Sequence, residues 1–223
     1  LRFRYLLQLL RHIHARSWGK SICSSYDSPM SKQIKTDIDV VYKKRNRATV
    51  FWRGILALPV FIFLASFAEG MNWGWATGLI VLPTVLTLVV RGIYPSYVFA
   101  FNHALLELQT RIFAYILLLT DEYPSIEANK HVTVTFPDVE GGKKLNRWLP
   151  LVKWILAIPL FFVGIIYSAI ALVMTFFAWI ITSATGKYPK WAGKFVLGTI
   201  KFWNRVDGYC LVLVSDKYPS FKL

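Results

Sequence analysis

The sequence predicts an all-α membrane protein of two tandem repeats. Each repeat reads as a short β-strand, a transmembrane helical hairpin and an amphipathic interfacial helix. Three observations carry this prediction. The chain of 223 residues is 55% hydrophobic and 16% aromatic, and only 17% of it is charged, against about 25% in a typical soluble domain. Its 26 Lys and Arg all fall outside two windows, 54–90 and 154–186. Finally, the part of the chain from about residue 36 onward nearly repeats itself.

Residues 1–29 lie outside the repeat and are basic, with Arg2, Arg4, Arg11, Arg16 and Lys20 against Asp27. They read either as a basic surface anchor or as sequence upstream of Met30 that the mature protein lacks. The second is the preferred expectation. Apolar runs broken by Arg do not form a signal peptide. Repeat 1 covers 36–126 and opens with an alternating strand, 37–42, in which Ile38, Val40 and Tyr42 point one way. The first charge-poor window holds only Glu69, near a turn-prone stretch, 70–74. It predicts spans over about 52–69 and 75–93, followed by an interfacial helix over 95–119.

Repeat 2 covers 131–222 and opens with a matching strand, 131–136, with Val132, Val134 and Phe136 on one side. Pairing of the two strands is expected. The window 154–186 carries no charge at all. It is long for one upright span and short for two, because a crossing needs about 20 residues. Positive charge decides the expectation. Residues 32–53, 130–153 and 187–222 are all basic, and Lys and Arg collect on the cytoplasmic side. An even number of crossings per window puts all three on one side. This predicts spans over about 149–166 and 168–184, turning near Tyr167-Ser168, then an interfacial helix over 190–214. Both termini are expected in the cytoplasm, on a bacterial inner membrane.

The repeat is read from matches that keep their order. Ile55-Leu-Ala-Leu-Pro-Val-Phe returns at 155–161 as Ile-Leu-Ala-Ile-Pro-Leu-Phe. Asn46-Arg47 returns as Asn146-Arg147, Arg53 as Lys153, Tyr94-Pro95 as Tyr188-Pro189, Arg111 as Arg205 and Tyr115 as Tyr209. Each half closes on Thr/Ser-Asp-x-Tyr-Pro-Ser, at 120–125 and 215–220. This set of motifs resembles DUF4389, a family of uncharacterised bacterial membrane proteins, over about residues 36–222. The second half is the closer match. It departs from the family pattern at Leu160, where a His is usual, and at Pro219-Ser220, where Pro-Pro is usual. The resemblance implies the membrane architecture and brings no activity, ligand or catalytic residue with it.

The candidate functional residues follow from this layout. On the second interfacial helix Lys190, Lys194, Lys201 and Arg205 share one face, opposite Trp191, Phe195, Phe202, Val206, Tyr209 and Leu213. That pattern suits a helix at a membrane surface with cations toward anionic phospholipid headgroups. Arg111 with Asp121, and Arg205 with Asp216, are candidate structural pairs, with Tyr115 and Tyr209 bridging the same networks. Glu107 and Arg111 are spaced for an i,i+4 pair. Pro59 and Pro159 are expected to kink the first helix of each hairpin. Arg53 and Lys153 are expected to snorkel to the interface, among Trp52, Trp73, Trp75, Trp148 and Trp154 in aromatic belts.

The windows contain no Asp, Lys, Arg or His, which argues against ion-coupled transport. No zinc, phosphate-loop, nucleophile-elbow or Cys-x-x-Cys motif is present. No cofactor, metal or catalytic residue is therefore expected, and no nucleic acid, since the basic clusters flank the spans. The leading expectation is a non-enzymatic scaffold or accessory subunit that binds anionic lipid, a membrane protein complex or a second copy of itself. A small transporter or channel for an apolar or lipidic molecule is the alternative, and a membrane enzyme the third reading.

Overall fold

The structure, a computed structural model, describes residues 33–66, 81–127 and 130–223. The N-terminal extension, the turn at 70–74, Glu69, Trp73 and Trp75 lie outside the described residues. The elements are β1 (Lys35–Ile38), α1 (Arg47–Leu56), α2 (Leu58–Ser66), α3 (Leu82–Arg91), α4 (Ser96–Ile116), β2 (Val132–Thr135), α5 (Leu149–Thr185) and α6 (Lys190–Cys210). The fold is mostly helical. Two stretches, Arg47–Ser66 and Leu149–Thr185, are long and apolar enough to cross a membrane.

β1 and β2 form an antiparallel ribbon in which Ile38 faces Val132 and Thr36 faces Val134. Thr36, Ile38, Val132 and Val134 are buried, while Lys35 and Asp37 are exposed, as period-2 alternation requires. The pairing therefore meets the expectation, over shorter strands than the pattern marks out.

The elements stack in layers. α4 packs on β2, and α6 packs on β1 and on α4. α5 packs along α6, and both α1 and α3 pack against α5. The middle helices α4 and α6 are thus covered on both sides. α6 buries Val196, Phe202, Val206, Tyr209 and Cys210, among others. This corrects the expectation of an interfacial helix with its rings in lipid. The apolar side of α6 is covered by α5, so Phe202, Val206 and Tyr209 pack against protein.

The second window is not a hairpin of two spans. α5 is one helix of 37 residues that runs through Tyr167-Ser168 without a turn. Between Phe161 and Thr185 the sequence has a single Gly and no Pro, so nothing there disrupts the i→i−4 ladder. Two crossings would need a break near Tyr167-Ser168, and the residues that make one are absent there.

The two prolines behave differently. The helix breaks at Ala57, just before Pro59, so α1 and α2 are separate elements. Pro159 lies inside an unbroken α5. The carbonyl four residues before it loses its helical N–H donor, and the flanking apolar turns carry the helix across the gap.

Several residues that match in the sequence make similar contacts. Asn46 and Asn146 each accept from the backbone two residues on, Ala48 N at 3.1 Å and Trp148 N at 3.0 Å, just ahead of or at the start of α1 and α5. α3 and α5 each end on a left-handed glycine, Gly92 (φ 64°) and Gly186 (φ 69°). Arg147 sits where a Cβ on Gly92 would be, and Arg47 lies against Gly186. The Tyr94 hydroxyl donates to Val212 O at 2.7 Å, and the Tyr188 hydroxyl to Leu117 O at 3.1 Å. Each tyrosine thus fastens the other half. Where α4 and α6 meet, Asn204 Nδ2 donates to Thr110 Oγ1 at 3.0 Å and to Thr36 Oγ1 at 2.9 Å.

Candidate functional site: an apolar face on two ionic anchors

The clearest candidate site is a surface, namely the outward side of α1, α2, α3 and α5 with the polar anchors beneath it. The buried residues of α5 recur at spacings of three, four or seven: Pro150, Lys153, Ala157, Leu160, Gly164, Ala171, Ala178 and Thr182. Small residues dominate this seam, so the helix lies close against α6. Between these positions stand large apolar side chains turned outward. Ile155 is 66% exposed, Phe162 67% and Leu172 68%. Phe51, Trp52, Ile62, Leu86 and Val90 continue the exposed apolar surface on α1, α2 and α3. An outward face of this extent is far beyond the scattered apolar residues of an ordinary surface.

Lys153 is the one charged residue of α5, and it is fully buried. Its ammonium pairs with Asp216 at 2.7 Å and donates to Ser215 O at 2.8 Å. It also lies 5.1 Å from the centroid of the Tyr209 ring. In the first half, Arg53 occupies the equivalent place. Its guanidinium pairs with Asp121 at 2.5 Å and donates to Tyr115 O and Thr120 O. It stands 4.5 Å over the Tyr115 ring. Arg53 and Lys153 therefore do not snorkel. A carboxylate in each closing turn reaches back under the helix and neutralises the charge, which burial without a counter-ion would make very unfavourable.

The first anchor has a second cation. Arg45 pairs with Asp121 at 2.6 Å and donates to Leu118 O and Leu119 O, both at 2.8 Å. Burial lowers its pKa, which the Asp121 charge partly offsets. Leu145 holds the corresponding place before Asn146. There, Asp216 instead accepts from Asn146 N at 2.6 Å. Arg45 and Asn146 were not picked out as site residues by the sequence. The signal available was that Arg53 and Asp121 recur together as Lys153 and Asp216.

The expected Arg111–Asp121 and Arg205–Asp216 pairs are not formed. Both aspartates are engaged with the long helices instead. Arg111 pairs with Glu107 at 2.9 Å, the i,i+4 partner, and donates to Ser125 O and Glu127 O. Arg205 donates to Lys222 O, and burial lowers its pKa. Each arginine thus clamps the backbone that follows its own closing turn, through carbonyls rather than a carboxylate.

The four cations of α6 do not form one free patch. Lys190 and Lys194 are exposed, next to a half-exposed Trp191, whereas Lys201 and Arg205 are partly buried. Two residues beyond Arg205, burial pushes the Asp207 carboxyl up to about 7. Burial also raises the thiol of the neighbouring Cys210 far above its usual range. Among the described residues, no group of three His, Cys, Asp or Glu side chains is placed to hold a metal ion. The chain matches no family model, no curated protein and no solved structure. Its resemblance to DUF4389 therefore rests on the quoted residues alone.

Proposed function

We propose that this is a non-enzymatic membrane protein, a scaffold or accessory subunit that holds its apolar helical layer in the bilayer and its polar mass at the cytoplasmic surface of a bacterial inner membrane. The observation that carries the reading is the unbroken apolar outer face of α5, from Ile155 to Ile181. Water is a poor solvent for such a face, and a bilayer is a good one. The non-enzymatic reading is supported by where the polar groups are used. Arg45, Arg53, Lys153, Asp121 and Asp216 bind one another and backbone carbonyls, an arrangement that holds helices in place.

The recurring contacts support descent from a duplicated unit of the DUF4389 kind. Anionic phospholipid is the proposed surface ligand. Lys190 and Lys194, exposed beside Trp191, are the contacts offered to headgroups. A membrane protein complex, or a second copy of the chain, would then dock on the lipid-facing or cytoplasmic side.

Two measurements test this. After detergent removal with phospholipid vesicles, the full-length protein should float with the lipid; protein left in the aqueous fraction would refute the membrane reading. Mass spectrometry of lipid retained in mild detergent should show phosphatidylglycerol enriched over phosphatidylcholine. The double substitution Lys190→Gln, Lys194→Gln should lower that retention by about thirtyfold, at roughly 1 kcal/mol for each juxtamembrane charge. Unchanged retention would remove these lysines from the site.

A further inference from the structure

α5 and α6 run side by side, so whatever orientation α5 takes in a membrane, α6 must share. At 1.5 Å per residue the 37 residues of α5 span about 55 Å, against a hydrocarbon core of about 30 Å. The contacts with the polar layer extend along its length. Near its start Lys153 meets Asp216, and Trp154 Nε1 donates to Cys210 O at 2.8 Å. In the middle Trp203 Nε1 donates to Ser168 Oγ at 2.8 Å, and Tyr167 meets the rings of Phe195 and Phe202. Near its end Trp179 Nε1 donates to Val50 O at 3.1 Å, and Gly186 O accepts from Arg45 N.

An upright α5 would therefore draw Lys194, Lys201, Arg205 and Asp207 of α6 through the bilayer interior, where charged side chains are strongly disfavoured. It would also place the anchors of Lys153 and of Arg45 on opposite sides. The first half follows the same plan. Arg53 is tied to the end of α4, and Val60 and Leu64 of α2 share a core with Leu105 and Leu108 of α4.

We propose that α5 lies in the plane of one leaflet, apolar face down in the acyl chains and seam up against α6, and that it crosses the bilayer neither once nor as a hairpin. The occupant of the apolar face is thus the half-bilayer of a single, cytoplasmic leaflet. α5 and the α1–α2 stretch act as runners beneath a polar body. This rests on the membrane reading given above and specifies the geometry of the contact. Charge favours it: the exposed cations Arg47, Arg147 and Lys187 stand at the start of α1 and just outside the two ends of α5, level with headgroups when those helices lie flat.

The test uses the full-length chain with Cys23 and Cys210 replaced by Ser, reconstituted in phosphatidylcholine–phosphatidylglycerol vesicles. Single cysteines are placed at Ile155, Phe162, Ile166 and Phe176 and labelled with an environment-sensitive fluorophore. Quenching by lipids brominated at different depths then reports the depth of each position. An in-plane helix gives one shallow depth at all four. A profile that is deepest at 162 and 166, or that runs steadily from one surface to the other, overturns the proposal.

Separate single cysteines at Trp148 and Lys187 should react with a membrane-impermeant maleimide from the same face of the vesicle. Labelling from opposite faces also overturns it. If the protein fails to float with these vesicles, the membrane reading falls and this proposal with it. If it floats and either the depth or the sidedness result is adverse, only the in-plane seating falls.

Discussion

Lys153 and Asp216 are unequal partners, because the lysine is buried and the carboxylate keeps 27% of its surface in water. Removing the acid strands a charge, whereas removing the base frees an acid that can hydrate. Asp216→Asn should therefore destabilise the fold by about 3 kcal/mol, lowering the melting temperature in detergent by roughly 6–12 °C. Lys153→Met should cost less, about 1 kcal/mol, since an apolar side chain of similar length fills the buried position and the remaining Asp216 carboxylate, already part-exposed, can hydrate. Equal effects would contradict the asymmetry. Asp207 makes a second prediction. Its carboxyl is raised from 3.8 to about 7, so the folded state holds a proton that the unfolded chain releases. Stability contributed by this group is present below about pH 4 and is lost as pH rises to about 7. Asp207→Asn should flatten the melting temperature across that interval and raise it at pH 8, measured by circular dichroism. The ionic anchors were half legible at this scale. Their four residues recur in register in the sequence, but the pairing depends on each closing turn folding back beneath its helix, which no local pattern encodes.

The helices themselves were more legible than their connections. Absence of charge marked out both apolar stretches, and period-2 alternation marked both strands. The prolines show what local chemistry leaves open. Ile-Leu-Ala-x-Pro occurs in both halves, yet the helix breaks before Pro59 and continues through Pro159, so the outcome was set by packing along α6 and not by the motif. The seam of α5 provides a test. A Cβ on Gly164 would lie 2.7 Å from the Trp203 ring. Gly164→Val should push α5 off α6, break the Trp203–Ser168 hydrogen bond and cost about 1–3 kcal/mol by overpacking. Gly54 on α1 has nothing within 4 Å of an added Cβ, so Gly54→Ala should stabilise by up to about 1 kcal/mol through helix propensity. Thermal melts of the two variants should move in opposite directions.

For the molecule as a whole, the distribution of positive charge implied an even number of crossings in each apolar window, and the single helix α5 does not provide the two that 154–186 would need. Counting crossings assumed that apolar length means traversal. In the described residues that length is packed along α6. The reciprocal tyrosines offer a test at this scale. Tyr94→Phe and Tyr188→Phe each leave a carbonyl of the opposite half without its donor, and each should cost about 1–2 kcal/mol. Similar losses in chemical denaturation are expected from both, because the two bonds do matching work.

That exchange also dictates timing on the ribosome. Tyr94, Gly92 and Thr110 find their partners at Val212, Arg147 and Asn204, residues that leave the exit tunnel long after them. The first half must wait, incompletely closed and with its apolar helices uncovered, until Val212 and its neighbours have been synthesised. A nascent chain of this kind needs a membrane or a chaperone at hand from the moment α1 emerges. A stalled or truncated product would present its unfinished α4 face to any other copy that still had a second half to lend.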